Sequence, residues 1–471
     1  MSNGQWQGRK VLVLGLGDSG LASIRWLSRR GARLRAADTR AAPPALGAVR
    51  AEHPGLDVVL GAFDEALLAG MDAVVASPGV ALREPLLRAA AARGIEVVGD
   101  IEIFAREVAS VAPGARVLGV TGTNGKSTVT ALAGAMGTRA GWRTCVAGNI
   151  GPPALDALAS AEGRAAELFV IELSSYQLET TSSLALDAAA MLNLSQDHMD
   201  RYDSMADYAR AKERIFRHAK TRVVNRDDAW SRAMGAAHGT LSFGLGAPRD
   251  ESEWGLDAAR EFLCRGAERL LPAEAMAMKG LHNAANALAA HALVSALGAP
   301  SRPLAEAARE FEGLRHRVEL VAEARGVRFF DDSKGTNVGA TVAALEGFSQ
   351  RVVLIAGGDG KGQDFAPLVP AVKARARAVV LIGRDAPLLA AALAPAGVPM
   401  QQAATMAEAV EAASRAAQPG DAVLLSPACA SLDMFRDYGH RGDVFAEAAR
   451  VVASGTGHNS MADVPCPPEK G

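Results

Sequence analysis

Residues 117–128 read Val-Leu-Gly-Val-Thr-Gly-Thr-Asn-Gly-Lys-Ser-Thr, and this stretch decides the predicted fold. It starts as an apolar strand, passes through a glycine-rich turn and leads into an alanine-rich helix that begins at Lys126. The N-terminus of a helix carries unpaired N–H groups and partial positive charge, which suit a phosphate chain. Lys126 adds a positive charge, and Ser127 adds a hydroxyl that can hold Mg²⁺. We therefore predict a phosphate-binding loop, although Val120 stands where the general motif has glycine.

A second glycine-rich loop lies near the start of the chain. Gly15-Leu-Gly-Asp-Ser-Gly20 follows an apolar strand over residues 10–14, opens a helix, and precedes a second strand that ends in Asp38. A G-x-G-x-x-G loop in this context, with an acid about 20 residues further on, is typical of a dinucleotide-binding half. Taken alone, this loop favours an NAD-dependent dehydrogenase.

Strand–helix units recur along the chain and predict an α/β fold with three domains. We expect a Rossmann-like N-terminal domain over 1–104, a central P-loop ATPase-like domain over 105–313 and a Rossmann-like C-terminal domain over 314–454. The length of 471 residues agrees with about three domains. Residues 455–471, rich in Gly, Ser and Pro, are expected to form a disordered tail.

The composition argues against nucleic-acid and membrane partners. The formal net charge is −2, so no basic surface for nucleic acid or anionic lipid is expected. The sequence has no run of about 18 apolar residues that could insert into a membrane. Its four cysteines lack metal-type spacing and predict a reducing compartment. We expect a cytoplasmic monomer.

One acid interrupts an apolar strand of the predicted central domain. Glu172 lies within Leu-Phe-Val-Ile-Glu-Leu, residues 168–173. Burying a bare carboxylate is prohibitive, so Glu172 either binds a metal ion or reaches water at the strand end. Beside a Lys-Ser phosphate loop, we favour Mg²⁺. The next strand, 188–194, ends at Asp197 and His198, which predicts that both lie on the carboxyl edge of the sheet.

A lysine lies inside the apolar stripe of the following helix. That helix is predicted to begin near Ser204, with Asp207 completing a capping box, and its stripe continues to Ala219. Lys212 has no acid three or four residues away. It is either a lysine that extends from the edge of the core to water or a desolvated, reactive amine. The sequence leaves both interpretations open.

Four predicted strands of the third domain end in polar clusters. The clusters are residues 331–337, 357–362, 383–385 and 426–432. Polar groups gathered at one edge of a parallel sheet build a site, so we expect one there. In the central domain, Asn283 and Asn286 share one face of an alanine-rich helix and could contact a purine or ribose, or act as a local cap.

Six motifs together resemble the Mur ligase family, whose members build the peptide stem of the bacterial cell-wall precursor. The motifs are Thr121-Gly-Thr-Asn-Gly-Lys-Ser-Thr128, Glu172-Leu-Ser-Ser-Tyr-Gln177, Asn193-Leu-Ser-Gln-Asp-His198, Tyr208-Ala-Arg-Ala-Lys212, His282-Asn-Ala-Ala-Asn286 and Asp332-Ser-Lys-Gly-Thr-Asn337. Residues 425–442 and the first glycine loop are similar to the D-glutamate-adding members. The resemblance covers the whole chain except the tail. Another amino-acid-adding member is the alternative within the family.

That resemblance implies ATP and Mg²⁺, with two ions expected. ATP would contact Gly122, Thr123, Asn124, Gly125, Lys126, Ser127, Thr128, Asn286, Arg317 and Asp332. Ser127 and Glu172 would hold one ion, and His198 and Lys212 would serve the second. Lys212 would be carbamylated, as the matching lysine of the family is. Lys126, His198 and Lys212 would be the catalytic residues.

The resemblance also implies two further substrates, UDP-N-acetylmuramoyl-L-alanine and D-glutamate. The first glycine loop would hold the UDP portion in place of NAD. Expected contacts to the UDP sugar are Gly17, Asp18, Ser19, Asp38, Thr39, Ser77 and Asn149. Expected contacts to D-glutamate are Lys334, Thr336, Lys361, Ser431, Leu432 and Tyr438. Asp18 stands where the D-glutamate-adding members commonly carry an apolar residue, and Tyr438 where they more often carry phenylalanine.

The expected activity is an ADP-forming acid–D-amino-acid ligation through an acyl phosphate. It would serve peptidoglycan synthesis and thereby cell-wall biogenesis, cell shape and cell division. A dehydrogenase would leave the phosphate loop, Glu172 and His198 without a role. An ATP-gated binding module without catalysis would not account for polar clusters at so many strand ends.

Overall fold

Three β-sheets organise the computed structural model, which describes residues 4–235 and 239–454. The chain divides into two compact units. The first unit holds the residues up to 195 together with 201–312, and the second holds 196–200 together with the residues from 313 onward. Among the described helices, none is both long and apolar enough to cross a membrane.

The first sheet is a five-stranded parallel sheet in the order β3-β2-β1-β4-β5. Strand β1 is central and fully buried from Val11 to Leu14, as expected for an apolar strand covered on both faces. The strands are β1 (Lys10–Leu14), β2 (Arg33–Asp38), β3 (Asp57–Leu60), β4 (Ala73–Ala76) and β5 (Glu96–Val98). The helices that accompany them are α1 (Asp18–Arg29), α2 (Leu46–Glu52), α3 (Pro85–Ala92) and α4 (Asp100–Val111).

The second sheet has nine strands in the order β14-β13-β12-β11-β10-β9-β6-β8-β7. Its strands are β6 (Arg116–Thr121), β7 (Thr144–Gly148), β8 (Leu168–Glu172), β9 (Leu186–Met191), β10 (Ala219–Asn225), β11 (Thr240–Phe243), β12 (Glu253–Leu256), β13 (Phe262–Arg265) and β14 (Glu268–Pro272). The last three form an antiparallel extension. The phosphate loop leaves β6, which pairs in parallel with β8 and β9.

Eight helices accompany the second sheet among the described residues. They are α5 (Lys126–Arg139), α6 (Ala154–Ala159), α7 (Ala161–Arg164), α8 (Ser175–Glu179), α9 (Met205–Glu213), α10 (Ala229–Met234), α11 (Leu281–Ser295) and α12 (Ser301–Glu310). Buried apolar residues of β6, α5 and α11 form one core cluster, so the phosphate loop is carried by the most buried part of this sheet.

The third sheet has six strands in the order β15-β16-β20-β17-β18-β19. Its elements are β15 (Glu319–Ala324), β16 (Val327–Asp331), α13 (Val338–Gly347), β17 (Val352–Gly357), α14 (Leu368–Arg375), β18 (Ala376–Ile382), α15 (Ala386–Leu393), β19 (Met400–Gln402), α16 (Met406–Ala416), β20 (Ala422–Leu425) and α17 (Tyr438–Ser454). The strands from β16 to β19 are all parallel, with apolar clusters on both faces. Their polar continuations therefore share one edge, as predicted.

The helix with the lysine in its apolar stripe is shorter than predicted. Helix α9 ends at Glu213, a 3₁₀ turn carries Ile215, and Ala219 already belongs to β10, where it pairs with Leu186. The apolar period continued because the turn and the strand bury the same side of the chain. The capping box is also only half formed, since the Ser204 hydroxyl accepts the Asp207 N–H but donates to the Asp207 carboxylate.

The predicted domain boundaries stay predictions, and the first of them, after residue 104, lies inside α4. The tail predicted over 455–471 lies outside the described residues.

Candidate functional site

A cavity of about 760 Å³ opens in the first unit, between residues of the first sheet and residues of the second. All seven residues predicted to contact the UDP sugar line it: Gly17, Asp18, Ser19, Asp38, Thr39, Ser77 and Asn149. Arg40, Phe63, Glu84 and Gln177 line it as well, although none of them was predicted to contact the UDP sugar. A volume in this range suits a ligand of drug size or larger. The two sheets therefore share the walls of one cavity.

The Asp38 carboxylate at the end of β2 is already fully engaged within the chain. Its Oδ2 accepts the Leu16 N–H at 2.7 Å, and both of its oxygens accept from the Arg40 guanidinium. Burial would raise the pKa of Asp38, but these hydrogen bonds outweigh it and lower the pKa to about 2. Asp38 is thus an ionised group that fixes the glycine loop and Arg40 at the cavity.

The phosphate loop runs from Gly122 to Thr128 and opens α5, as predicted. Gly125 caps the helix with φ 82°, a left-handed conformation that favours glycine. A side chain at Gly125 would also meet the Asn286 amide, since an added Cβ would lie 2.5 Å from its Oδ1. Lys126 Nζ donates to the Thr123 carbonyl at 2.8 Å. The structure therefore brings Asn286 to the loop, while Arg317 and Asp332 belong to the second unit.

Two residues outside the loop hold it in place: Asn193, which follows β9, and Tyr208 on α9. The Asn193 side chain accepts from Asn124 N at 2.9 Å and donates to Asn124 O at 3.1 Å. The hydroxyls of Thr123 and Tyr208 are 3.2 Å apart. The Thr123 N–H also donates to the Asn193 carbonyl at 2.8 Å, so backbone and side-chain contacts together fix the loop.

Glu172 is buried rather than exposed to water, with only 1% of its surface accessible. Its Oε1 accepts the Asn149 amide at 2.6 Å, while its buried Oε2 has no hydrogen-bond partner. The interpretation that Glu172 reaches water at a strand end is therefore wrong. An unpartnered, buried carboxylate oxygen at the strand beside a Lys-Ser loop fits a divalent cation such as Mg²⁺. The bond from Asn149 also joins this group to the wall of the cavity.

Lys212 is buried as well, with 1% of its surface accessible, so it does not extend to water. Its Nζ donates to the Gly122 carbonyl at 2.8 Å and lies 3.5 Å from Thr121 Oγ1 and 4.8 Å from the centre of the Tyr208 ring. The alternative of a desolvated amine is the one that the structure supports. Ser127, Glu172 and Lys212 belong to the first unit, and His198 to the second.

The segment 196–200, which carries His198, groups with the second unit. His198 has φ 59°, an uncommon conformation for a residue with a side chain and one that concentrates at functional sites. Its backbone N–H donates to Asp197 Oδ1. The Asp197 carboxylate, buried at 6% exposure, also lies 3.5 Å from Lys361 Nζ and 3.4 Å from the Asn337 amide. One of the predicted D-glutamate contacts, Lys361, is thus held beside the His198 segment.

A buried acid pair lies next to Arg317 in the second unit. His316 Nδ1 is 2.6 Å from Asp331 Oδ2, and Asp332 accepts from Ser426 at 2.7 Å. Burial raises the pKa of Asp332 to about 7, against the hydrogen bond from Ser426 and the charge of Arg317. His316 has φ 62° and Val318 has φ 52°, so strained backbone flanks Arg317 on both sides.

The predicted D-glutamate contacts follow β16, β17 and β20, which are inner strands of the third sheet. Lys334 Nζ lies 4.9 Å from the centre of the Tyr438 ring, and Thr336 N donates to the Lys334 carbonyl. Ser431 is buried, whereas Leu432 has 73% of its surface exposed. The loops that carry Lys361 and Ser431 are joined by the bridge between Asp359 and Ala430. The roles of all these residues stay predictions.

Arg441 is a buried residue that sequence reasoning passed over. Its guanidinium, fully buried, donates to Ser333 Oγ, Ser333 O and Cys429 O, and Ser333 Oγ donates to the Tyr438 carbonyl. Burial lowers the pKa of Arg441 to about 10. It therefore ties three polar segments of the candidate site together. In the sequence, only its position as a charged residue near the start of a helix, within Tyr438–Gly442, could have pointed to Arg441.

Three family descriptions match successive parts of the chain. Residues 9–99 match the N-terminal domain of MurD-like Mur ligases. Residues 120–294 match the Mur ligase middle domain, and residues 316–429 match the glutamate ligase domain of Mur ligases.

Curated relatives are similar over nearly the full length. The UDP-N-acetylmuramoylalanine--D-glutamate ligase of Methylobacillus flagellatus is 55% identical over 448 residues, which cover 94% of this chain and 97% of the relative. The enzyme of the same name from Thiobacillus denitrificans is 54% identical over 96% of this chain and 98% of the relative.

Solved structures share the fold at low identity. UDP-N-acetylmuramate-alanine ligase MurC from Thermotoga maritima superimposes with a TM-score of 0.60 at 19% identity, covering 94% of this chain and 99% of its own. A pseudomurein peptide ligase type C from Methanothermus fervidus superimposes with a TM-score of 0.58 at 17% identity, covering 94% of this chain and 100% of its own. At these identities the likeness shows the fold alone, a three-part α/β architecture in agreement with the prediction.

Proposed function

The chain belongs to the Mur ligase family, among the UDP-N-acetylmuramoylalanine--D-glutamate ligases, and on that premise we propose that it adds D-glutamate to UDP-N-acetylmuramoyl-L-alanine. The reaction consumes ATP, releases ADP and phosphate, and serves peptidoglycan precursor synthesis. The observation that carries the proposal is a side-chain hydrogen bond. It runs from Asn149, on the wall of the large cavity, to Glu172, beside the phosphate loop. This hydrogen bond supports the proposal that a sugar subsite and a nucleotide subsite lie next to each other.

In the first step, an oxygen of the alanine carboxylate attacks the γ-phosphorus of ATP. A carbonyl–oxygen–phosphorus linkage forms, the bond to the bridging oxygen breaks, and ADP leaves. Two anions must approach each other, so the barrier is mainly electrostatic. Lys126 and the N-terminus of α5 supply positive charge at the phosphates. Bound Mg²⁺, held by Glu172 and Ser127, would neutralise charge on the phosphate oxygens.

In the second step, the neutral amine of D-glutamate attacks the carbonyl carbon of the acyl phosphate. The nitrogen gives up one proton, which the departing phosphate can accept, and the tetrahedral intermediate collapses to the amide as phosphate leaves with the bridging oxygen. The two carboxylates of D-glutamate suit the ammonium groups of Lys334 and Lys361, with hydroxyl groups from Thr336 and Ser431. Leu432 and Tyr438 border the same edge of the third sheet.

Lys212 is proposed to carry a carbamate. Its amine would attack CO₂, form a nitrogen–carbon bond and release one proton, which creates a carboxylate that can serve a second cation with His198. Burial against Tyr208 and the Gly122 carbonyl supports this role, because desolvation favours the neutral amine that reacts with CO₂.

The carbamate makes a prediction about chemical rescue. Lys212→Ala should lose activity by about 10²-fold or more and regain part of it with short carboxylic acids, which supply the missing carboxylate. The measurement is ADP release with and without added acetate or formate. Lys212→Arg serves as the control, because it fills the site and should not be rescued. An inactive Lys212→Ala enzyme that no small acid restores would contradict the carbamate.

A substrate panel tests the proposed function itself. ADP release should require the UDP sugar and should occur with D-glutamate but not with L-glutamate, L-alanine, L-lysine or meso-diaminopimelate. Release with one of the other amino acids instead would favour a different amino-acid-adding member. With ¹⁸O in the alanine carboxylate, the released phosphate should carry one ¹⁸O atom, whereas unlabelled phosphate would exclude the acyl phosphate. Cytoplasmic location and the monomeric state stay predictions.

A further inference from the structure

Asp100 is a buried acid at the first position of α4, close to the large cavity but not on its surface. Gly99, which precedes it, allows α4 to approach the end of α8, because a Cβ there would lie 2.2 Å from Thr180 Oγ1. The acid therefore lies where an element of the first sheet meets an element of the second. Nothing in the proposed reaction steps uses it.

Asp100 contacts one cavity-lining residue from each sheet. Its Oδ2 accepts the Gln177 amide at 3.3 Å, and the Ser19 side chain also hydrogen-bonds the carboxyl group. Ser19 belongs to the first glycine loop, and Gln177 to the motif that begins at Glu172. Gln177 cannot turn its amide around, because its Oε1 accepts from Ser174 N in the capping box of α8. Asp100 is thus the acceptor that this orientation requires.

The neighbouring acid Glu102 shows what a purely structural role looks like on the same helix. Glu102 is equally buried and accepts from Ser182 N, Ser183 N, Ser183 Oγ and Arg106 Nε. None of these partners lines the cavity. Asp100, by contrast, keeps a buried oxygen, Oδ1, without a hydrogen-bond partner. An unsatisfied buried oxygen costs stability, so its presence needs a reason other than stability.

We propose that Asp100 is a positioning residue of the UDP-sugar site, holding Ser19 and Gln177 in register across the two walls of the cavity. This inference rests on the proposed function. The register matters because the substrate is anchored at its UDP end by the first sheet and must present its alanine carboxylate beside Glu172 of the second. A displacement of about 1 Å between the walls is enough to misplace a reacting atom.

The burial of Asp100 also explains how an acid can occupy this position near the cavity. Burial raises the pKa of Asp100, against the hydrogen bonds from Ser19 and Gln177. A carboxyl group with a raised pKa carries its negative charge less readily, and an acceptor oxygen is all that Gln177 requires of it. A neutral amide of the same shape should therefore replace it.

The test compares Asp100→Leu, Asp100→Asn and Glu102→Leu in the full-length enzyme. We expect Asp100→Leu to raise KM for the UDP sugar about tenfold, to lower kcat, and to leave KM for ATP and D-glutamate within about twofold. Its Tm should fall by no more than a few degrees, because removal of the unsatisfied buried oxygen offsets part of the cost of leaving Ser19 and Gln177 without this acceptor. Asp100→Asn should keep KM for the UDP sugar within about threefold of wild type.

Glu102→Leu should show the reverse, a lower Tm with unchanged KM for the UDP sugar, measured below the unfolding transition. A wild-type KM in Asp100→Leu would overturn the proposal. So would a lower Tm without a selective KM effect, or failure of Asp100→Asn to restore KM. These outcomes differ from failure of the proposed function, in which the wild-type enzyme itself would release no phosphate in response to D-glutamate.

Discussion

Two glycine-rich loops of this molecule are built alike and carry opposite charges. Each follows the buried strand β1 or β6, opens a helix at the carboxyl edge of a sheet, and belongs to the first unit. The first begins its helix with Asp18 and is fixed by Asp38, whereas the second begins its helix with Lys126 and Ser127. The shared geometry offers backbone N–H groups to phosphate in both cases. The side chains then decide which phosphate compound each loop suits.

The charge difference follows from what each loop has to do. A γ-phosphate that is attacked by a carboxylate needs positive charge where negative charge develops. A diphosphate that is bound but does not react needs backbone N–H donors. The side chains around it should be neutral or already paired with an opposite charge. The Asp38 carboxylate, which accepts three hydrogen bonds from Arg40 and one from the Leu16 N–H, supplies such a paired surrounding. Under the proposed function, the same loop-and-helix arrangement would bind a diphosphate in one place and support phosphoryl transfer in the other.

The largest expected effect comes from removing the positive charge of Lys126, which distinguishes the second loop from the first. Lys126→Ala should lower ADP formation by about 10³-fold, because the lysine stabilises charge on the transferred phosphoryl group. Steady-state ADP release measures this effect, with Thr138→Ala on the same helix as the control. Unchanged turnover in Lys126→Ala would contradict the assignment of the phosphate loop.

The next effect concerns Glu172, which lies beside the second loop and is hydrogen-bonded to Asn149 on the cavity wall. Glu172→Gln should lower kcat by about 10²-fold and raise the Mg²⁺ concentration needed for half-maximal activity, because the unpartnered oxygen is no longer a carboxylate ligand. Mg²⁺ titration of ADP release measures both. An unchanged Mg²⁺ dependence, with kcat reduced or not, would rule out Glu172 as a ligand.

A smaller effect is expected at Asp38 in the first loop. Asp38→Asn should raise KM for the UDP sugar about tenfold and leave KM for ATP unchanged, because Arg40 and the Leu16 N–H lose their charged partner. An equal rise in both KM values would show that the loops are not separate sites.

The same variant carries a prediction for acid stability. The folded pKa of Asp38, about 2, lies below the value of roughly 3.9 for an unfolded aspartate. This carboxylate therefore stabilises the folded protein above about pH 4, and the contribution is lost as the pH falls toward about 2. Asp38→Asn should lower Tm at neutral pH and flatten the fall of Tm below about pH 4. A Tm-versus-pH curve parallel to that of wild type would contradict it.

The smallest expected effect belongs to Asp18, an exposed acid at the N-terminus of α1. Asp18→Asn should lower KM for the UDP sugar about threefold at low ionic strength, because repulsion of the diphosphate is removed, and the gain should shrink at high salt. Kinetics at two salt concentrations measure it. A higher KM in Asp18→Asn would instead show that the acid contacts the substrate favourably.

Most of the fold was predictable because strand, glycine loop and helix recur with clear signals. The seven residues predicted to contact the UDP sugar line one cavity, since each lies at or just after the end of a strand. The end of α9 was not predictable, because Ile215 and Ala219 kept the helical period while the chain entered a turn and then β10. A helical spacing of apolar residues therefore does not show whether those residues lie in a helix, a turn or a strand.

The positioning residues escaped sequence reasoning for a related reason. An acid at the start of a helix, such as Asp100, usually only complements the helix dipole. Its contacts to Ser19 and Gln177 depend on packing between two sheets, which no spacing along the chain encodes. Arg441 is similar, since its three acceptors come from segments 12 and 108 residues away.

The most direct measurement of the central claim is calorimetric titration of Lys126→Ala with the UDP sugar and, separately, with Mg²⁺ and a non-hydrolysable ATP analogue. If one loop holds the UDP portion and the other holds the triphosphate, the Kd for the UDP sugar will stay within about twofold of wild type while the Kd for the analogue rises at least about tenfold. Loss of binding for both ligands, or for the UDP sugar alone, would contradict the division of labour between the two loops.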